Sequence, residues 1–289
     1  MRLLVTGSIA LDQLEGPFGR VSDELGGSAL YFSLAASLIR PVEVVAPIGR
    51  ESLEALRRVT GNREIDITGV EALDHPTYRW SARQQSGSNL DLGSADTIYD
   101  HWEPGPPPGF DGWAFVGSMR PDRQLAAART LRDSARLLAG DSMRSYVGSH
   151  RSEAEQVLGA CGWFFANREE LLALGGNAEE PQAFRSRWSL DGLVVKAGAA
   201  GCSAWTDAGE THLPAALVRP VIDVTGAGDA LAGGMLAAWL ESGGSPSGLR
   251  DALAHGVACA ALAISAVGLE GLARATPGDL AEMVGGLLG

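Results

Sequence analysis

The strongest chemical signal in the chain is Asp223-Val224-Thr225-Gly226-Ala227-Gly228-Asp229. Acidic residues bracket a small Gly-Ala-Gly turn, and the sequence then runs directly into Ala230-Leu231-Ala232-Gly233-Gly234, apolar and helix-like. At a helix start the first backbone N–H groups lack intrahelical partners and the macrodipole is positive, so an anion can be held there. Glycines let the backbone approach a ligand closely. A carboxylate at Asp229, beside such an anion site, is placed to act as a general base. The competing explanation is an ordinary Gly-containing loop in which Asp229 complements the helix dipole, and the loop alone does not choose between the two.

Other candidates fall at the ends of strand-like runs, the edge of a parallel sheet where ligands sit. Asp12 follows the first apolar run, and Gly26-Gly27-Ser28-Ala29 forms a second Gly-led entry into a helix. Asn167 and Glu170 lie at i and i+3 on one helical face. An amide and a carboxylate there suit a hydrated Mg²⁺ on nucleotide phosphates, or equally a capping box. Lys196 ends a strand and is followed by Gly198 and Gly201, a turn that can run beside a nucleotide. Asp141 is a further strand-end carboxylate, read as site-facing or as a helix cap. Trp80 is a candidate substrate contact. The P-loop pattern and the dinucleotide Gly-x-Gly-x-x-Gly fingerprint are both missing, as are HExxH zinc and Gly-x-Ser-x-Gly hydrolase signatures.

These residues need a scaffold of alternating elements. Strands are expected over 3–5, 42–48, 65–70, 113–116, 137–139, 163–166 and 193–196. Helices are expected over 30–38, 52–59, 123–136, 152–158, 168–174 and 183–188, with a mostly helical tail over 249–288. This alternation argues for a doubly wound, mostly parallel sheet flanked by helices, an α/β fold. The run 77–84 alternates apolar and polar, with a turn over 85–89, so it cannot be a central strand covered on both faces. It is assigned to a small β lid, the alternative being a surface hairpin with no role, with 13–24 a polar, Gly-rich segment and 104–109 a stiff linker. The chain has 289 residues, 45% hydrophobic and 20% charged, enough for a large core. Its net charge of −12 argues against nucleic-acid and membrane-surface partners. Three dispersed cysteines, Cys161, Cys202 and Cys259, read as core residues rather than a disulfide framework. The first residues are too short an apolar run for a signal peptide, so a cytoplasmic protein is expected.

Together, Asp-x-Thr-Gly-Ala-Gly-Asp, the Gly26-Gly27 turn, Asn-x-x-Glu and Lys-x-Gly-x-x-Gly resemble the ribokinase-like (PfkB) family of sugar and nucleoside kinases. The likeness runs over nearly the whole chain and implies a single ribokinase-like domain over 1–289, its lid drawn from about 11–25 and 75–102. It implies an ATP-dependent phosphotransferase acting on a hydroxyl, a CH₂OH group, of a sugar or nucleoside. In that resemblance Asp229 is the base, and Gly226, Ala227 and Gly228 form the anion hole. Asp12, Gly26, Gly27, Ser28, Tyr31 and Arg79 belong to the substrate side. Asn167, Lys196, Gly198, Gly201 and Thr225 belong to the nucleotide side, with Glu170 and Asn167 holding Mg²⁺ through water. The family also leaves room for a monovalent cation and for a homodimer in which each lid is covered by its partner's. Tyr31 stands where many members carry Asn, which points toward a larger or less polar acceptor such as a nucleoside. Val224 also departs from the usual Thr or Pro and is expected to be neutral. The alternative is a catalytically silent, metabolite-binding regulator of the same fold.

Overall fold

Apolar runs closed by glycine or by a polar residue fold as strands, and the segments between them mostly as helices. The computed structural model describes residues 1–85, 87–177 and 179–289; Ser86, within the expected 85–89 turn, lies outside the described residues. In chain order the strands are β1 (Arg2–Thr6), β2 (Ala10–Gly16), β3 (Gly19–Gly26), β4 (Val42–Gly49), β5 (Ile65–Leu73), β6 (Tyr78–Gln85) and β7 (Ser88–Ala95). They continue as β8 (Gly112–Val116), β9 (Leu137–Asp141), β10 (Trp163–Asn167), β11 (Gly192–Lys196), β12 (Cys202–Thr206) and β13 (Gly209–Leu213). The helices are α1 (Ser28–Ala36), α2 (Leu53–Thr60), α3 (Pro121–Arg132), α4 (Arg144–Ser149), α5 (Arg151–Ala160) and α6 (Arg168–Ala173). After them come α7 (Pro181–Arg187), α8 (Ala227–Glu241), α9 (Leu249–Ala263), α10 (Glu270–Arg274) and α11 (Pro277–Leu288).

The main sheet has the order β13-β12-β11-β10-β9-β8-β1-β4-β5. Pairing is parallel from β11 to β5 and antiparallel only where β12 and β13 extend one edge. Successive side chains on a strand point to opposite faces. Leu3 and Val5 therefore join the core beneath α1, α8 and α9, while Leu4 joins the core beneath α3, α5, α6 and α7. With both faces covered, the central strands are near-continuous apolar runs, as a doubly wound sheet requires.

Register sets the site edge. Asp141 pairs with Phe165 and Asn167 pairs with Lys196, so three neighbouring strands deliver Asp141, Asn167 and Lys196 to the same carboxyl edge. A second sheet, ordered β3-β2-β6-β7, leaves the main body between β1 and α1 and again after β5. Residues 13–24, read from the sequence as a polar segment and placed in the lid by the family resemblance, belong to two of its strands. One face of this sheet is solvated and charged, so β-branched residues are scarce and the hairpin is hard to see in sequence. The β12–β13 hairpin and helix α4 were likewise not anticipated.

Candidate active site

Helix α8 starts at Ala227 with Gly226 as N-cap, in the left-handed region at φ 70°. Glycine adopts that conformation freely, and here it also makes space, because a Cβ on Gly226 would overlap the Tyr31 ring. Asp223 braces the loop: its carboxylate accepts from the Thr225 N–H and the Gly268 N–H, each at 2.9 Å. Among the described residues, the N–H groups of Gly228 and Asp229 donate to no other residue. At α1 the corresponding donors are taken, Ala29 N–H by the Ser8 carbonyl and Leu30 N–H by the Gly27 carbonyl, each at 3.0 Å. Of the two Gly-led helix starts, α8 is the one that keeps donors for an anion.

Lys196 reaches over this loop. Its Nζ lies 2.8 Å from the position a Gly228 Cβ would take, and 4.0 Å from Glu170 Oε2. Burial pulls the Lys196 ammonium down, but Glu170, Asp141 and Asp229 hold its pKa above the ordinary lysine value. The carboxylates feel the same cluster. Burial pushes Asp229 up to about 6, opposed by Lys196 and reinforced by Glu170. Asp141 is driven well up by burial and then by Asp229, and Glu170 is raised by burial against the pull of Lys196.

Asn167 and Glu170 form a complete capping box. Asn167 Oδ1 accepts from Glu170 N–H, Glu170 Oε2 accepts from Asn167 N–H, and Glu170 Oε1 accepts from Asn167 Nδ2, all at 2.8 Å. The helix-cap explanation is therefore true of this pair, and further ligation must use the remaining carboxylate lone pairs. Three buried carboxyl groups whose ionisation burial opposes share one ammonium, and among the described residues the buried Asp141 Oδ1 has no partner. Both features suit a divalent cation. Among the described residues no group of three or more His, Cys, Asp or Glu is arranged to hold a metal ion.

Asp12 is 3% exposed, and among the described residues its Oδ1 has no partner. Burial, then Asp223 and Asp229, push its carboxyl up to about 8. Gly26 makes room for it, since a Cβ there would overlap the Asp12 carboxylate. Gly27, at φ 99°, passes close to the Ser8 carbonyl. Ser28 is engaged within the protein: its hydroxyl donates to the Ser118 carbonyl at 2.8 Å and accepts from the Ser8 N–H at 3.0 Å, tying α1 to the ends of β1 and β8. Tyr31 is 1% exposed, and its hydroxyl has no partner among the described residues.

Arg79 is not brought to the cleft. Asp12 pairs with Trp80, whereas Arg79 pairs with Leu11, so Arg79 points to the opposite face of the lid and forms an ion pair with Asp23. Trp80, the residue paired with Asp12, lies on the Asp12 face of the lid instead. Thr225, placed on the nucleotide side by the sequence, instead has its hydroxyl bonded to the lid, accepting from Asn89 Nδ2 at 2.9 Å. Gln84 accepts from the Val224 N–H at 3.1 Å, so the β6–β7 hairpin is fastened to the anion loop. Gly198 and Gly201, at φ 55° and 91°, shape the turn after Lys196, and a Cβ on Gly201 would overlap the Leu213 carbonyl.

Sequence reasoning missed Ser142 and Ser145, whose buried Oγ atoms also lack partners. Nothing in their spacing marks them. A usable signal existed for Lys196, which is the only lysine in the chain. Buried polar atoms without partners are rare in folded proteins. Among the described residues, Asp12 Oδ1, Tyr31 Oη, Asp141 Oδ1, Ser142 Oγ and Ser145 Oγ are such atoms, in segments at the carboxyl edge or the lid that leaves it.

Comparison with known proteins gives a consistent result. The sequence model described as "pfkB family carbohydrate kinase" matches residues 111–274, more than half of the chain. A cytidine kinase of Thermococcus kodakarensis is 27% identical over 254 residues, covering 82% of this chain and 88% of that protein. The fold is similar to that of a nucleoside kinase from Methanocaldococcus jannaschii, with TM-score 0.79, 18% identity and 99% of each chain covered. It is also similar to a Vibrio cholerae fructokinase solved with fructose, ADP and calcium, with TM-score 0.82, 18% identity and 98% of each chain covered. The chain belongs to the pfkB family of carbohydrate kinases and is a sugar or nucleoside kinase.

Proposed function

We propose that the protein transfers the γ-phosphoryl group of ATP to a hydroxyl, a CH₂OH group, of a free sugar or nucleoside. The observation that carries this reading is the meeting of three features at one point: amides at the start of α8 that, among the described residues, bond to no other residue, the Asp229 carboxylate, and Lys196 Nζ over Gly228. Asp229 takes the proton of the acceptor hydroxyl as its oxygen forms a bond to the γ-phosphorus. The bond from that phosphorus to the bridging oxygen breaks, and ADP leaves. Amides of the 226–228 loop and Lys196 stabilise the charge on the transferring group, the main requirement in phosphoryl transfer. Asn167 and Glu170, with Asp141 facing them, would hold Mg²⁺ through water, and that ion neutralises phosphate charge when bound. Gly198 and Gly201 shape the turn beside the nucleotide, and Asp12 orients the acceptor.

The cytidine kinase relative favours a nucleoside among the acceptors, and the fructokinase neighbour keeps hexoses on the panel. A purified-protein screen of pentoses, hexoses and nucleosides with ATP and Mg²⁺ tests this. Acceptor-dependent ADP release is expected, and its absence across the whole panel would return the protein to a silent, ligand-binding role. We also propose self-association through the lid, because Leu90 and Leu92 on β7 are 48% and 51% exposed. Sedimentation should then show a dimer that Leu92→Asp weakens, and a wild-type monomer would remove this part of the reading.

A further inference from the structure

The β6–β7 hairpin of the lid is rooted in the body at Thr77. The Thr77 hydroxyl donates to Ser52 Oγ and accepts from the Gly49 N–H, each at 2.9 Å, and the Thr77 N–H donates to Glu51 Oε1 at 2.8 Å. β6 leaves that fixed point with Tyr78, so the angle of the hairpin is set there. A strand rises about 3.3 Å per residue, and a small change of angle at Tyr78 becomes a large displacement at Gln84, which holds the anion loop. Tyr78 is 5% exposed and lies on the lid face that carries Asp12 and Trp80, since Ala10 pairs with Tyr78 as Asp12 pairs with Trp80. Its ring packs against Tyr99, with centroids 5.7 Å apart. Its hydroxyl meets the Tyr146 hydroxyl on α4 at 3.3 Å. That spacing is long for an O–H···O bond, a contact light enough to break at each opening of the lid. Burial raises the pKa of both phenols, so each keeps its proton and the pair is neutral.

Helix α4 carries the other half of this contact. It starts three residues after Asp141 and packs on α6, and its Arg144 Nη1 lies 2.7 Å from Glu169 Oε2, next to the Asn167–Glu170 cap. The root of the lid hairpin and the carboxylates of the nucleotide side therefore meet at one short helix.

We propose, on the basis of the kinase reading above, that Tyr146 is a positioning residue: it sets the angle of the lid through Tyr78 and, through α4, ties lid closure over the acceptor to the nucleotide side of the site. An acceptor that draws the lid down then favours the arrangement of Asp141 and the α6 cap that receives the nucleotide. Each ligand strengthens binding of the other by the same factor.

The test compares wild type, Tyr146→Phe, Tyr78→Phe and the double variant in two measurements. One is hydrogen exchange of the ligand-free protein. The other is calorimetry of a non-hydrolysable ATP analogue with and without the best acceptor from the screen. In each single variant the amides of β6 and β7 should exchange about threefold faster, with those of α8 unchanged. The acceptor should tighten analogue binding in wild type, and that factor should drop about threefold in Tyr146→Phe, with affinity for the analogue alone within about twofold. The double variant should lose no more than either single one, because all three remove the same contact. Four results overturn the inference and leave the kinase reading intact: unchanged lid exchange, an equal rise in α8, losses that add in the double variant, or an acceptor effect absent in wild type or undiminished in Tyr146→Phe. A wild type that phosphorylates no acceptor removes the kinase reading and this coupling together.

Discussion

Asp229 is held near pH 6 by burial against the pull of Lys196, and a base must be ionised to accept a proton. The rate should therefore fall as pH drops through about 6, rather than through the ordinary carboxylate range, and a pH profile of kcat/KM reads this directly. Lys196→Met removes the one charge that lowers Asp229. It should move the acid limb to higher pH and reduce kcat, and an unmoved limb would show that Lys196 does not act on the base. At this scale the sequence was informative about identity and less so about environment. The acidic-glycine frame of 223–229 marked the loop and the carboxylate proposed as the base, because backbone demands are written in glycines. Ser142, Ser145 and the role of Asp141 were not legible, since their distinguishing property is a missing partner in three dimensions.

The lid and the anion loop form the next level. Asn89 and Gln84 fasten the β6–β7 hairpin to Thr225 and Val224, so lid position and loop geometry are joined by named hydrogen bonds. Asn89→Ala should raise the acceptor KM several-fold and increase the share of ATP hydrolysed by water, measured as ADP formed without phosphorylated acceptor. Gly226→Ala places a Cβ in the Tyr31 ring at a left-handed φ. It should lower stability by about 1–3 kcal/mol and depress turnover, readable by denaturant unfolding and steady-state kinetics. The alternation of 77–84 revealed the lid and its polar character, but not which residues faced inward. That required the register with β2, and β2 was hidden among the polar residues of 13–24.

At the scale of the whole molecule, the ligand-free protein carries a titration burden. Asp12 has a folded pKa of about 8, far above an ordinary aspartate. The native state then keeps a proton that the unfolded chain has lost, so the stability present at low pH is lost as pH rises from about 4 toward 8. Thermal unfolding at constant ionic strength should give a higher Tm near about pH 5.5 than near about pH 8.5, and Asp12→Asn should flatten the difference. The main sheet was readable because doubly covered strands are continuous apolar runs that glycines or polar residues close, as in 113–116 and 163–166. Its antiparallel edge, β12 and β13, was not, because edge strands carry mixed polarity and resemble loop sequence.

The most direct measurement is ADP release and phosphorylated product formed by wild type and Asp229→Asn on one accepted sugar or nucleoside, with ATP affinity measured alongside. The account predicts acceptor-dependent turnover in the wild type. In the variant it predicts a fall in kcat of roughly 10²-fold or more, with nucleotide binding retained. An Asp229→Asn protein that keeps wild-type kcat would contradict the assignment of the base, and with it the site built around 223–229.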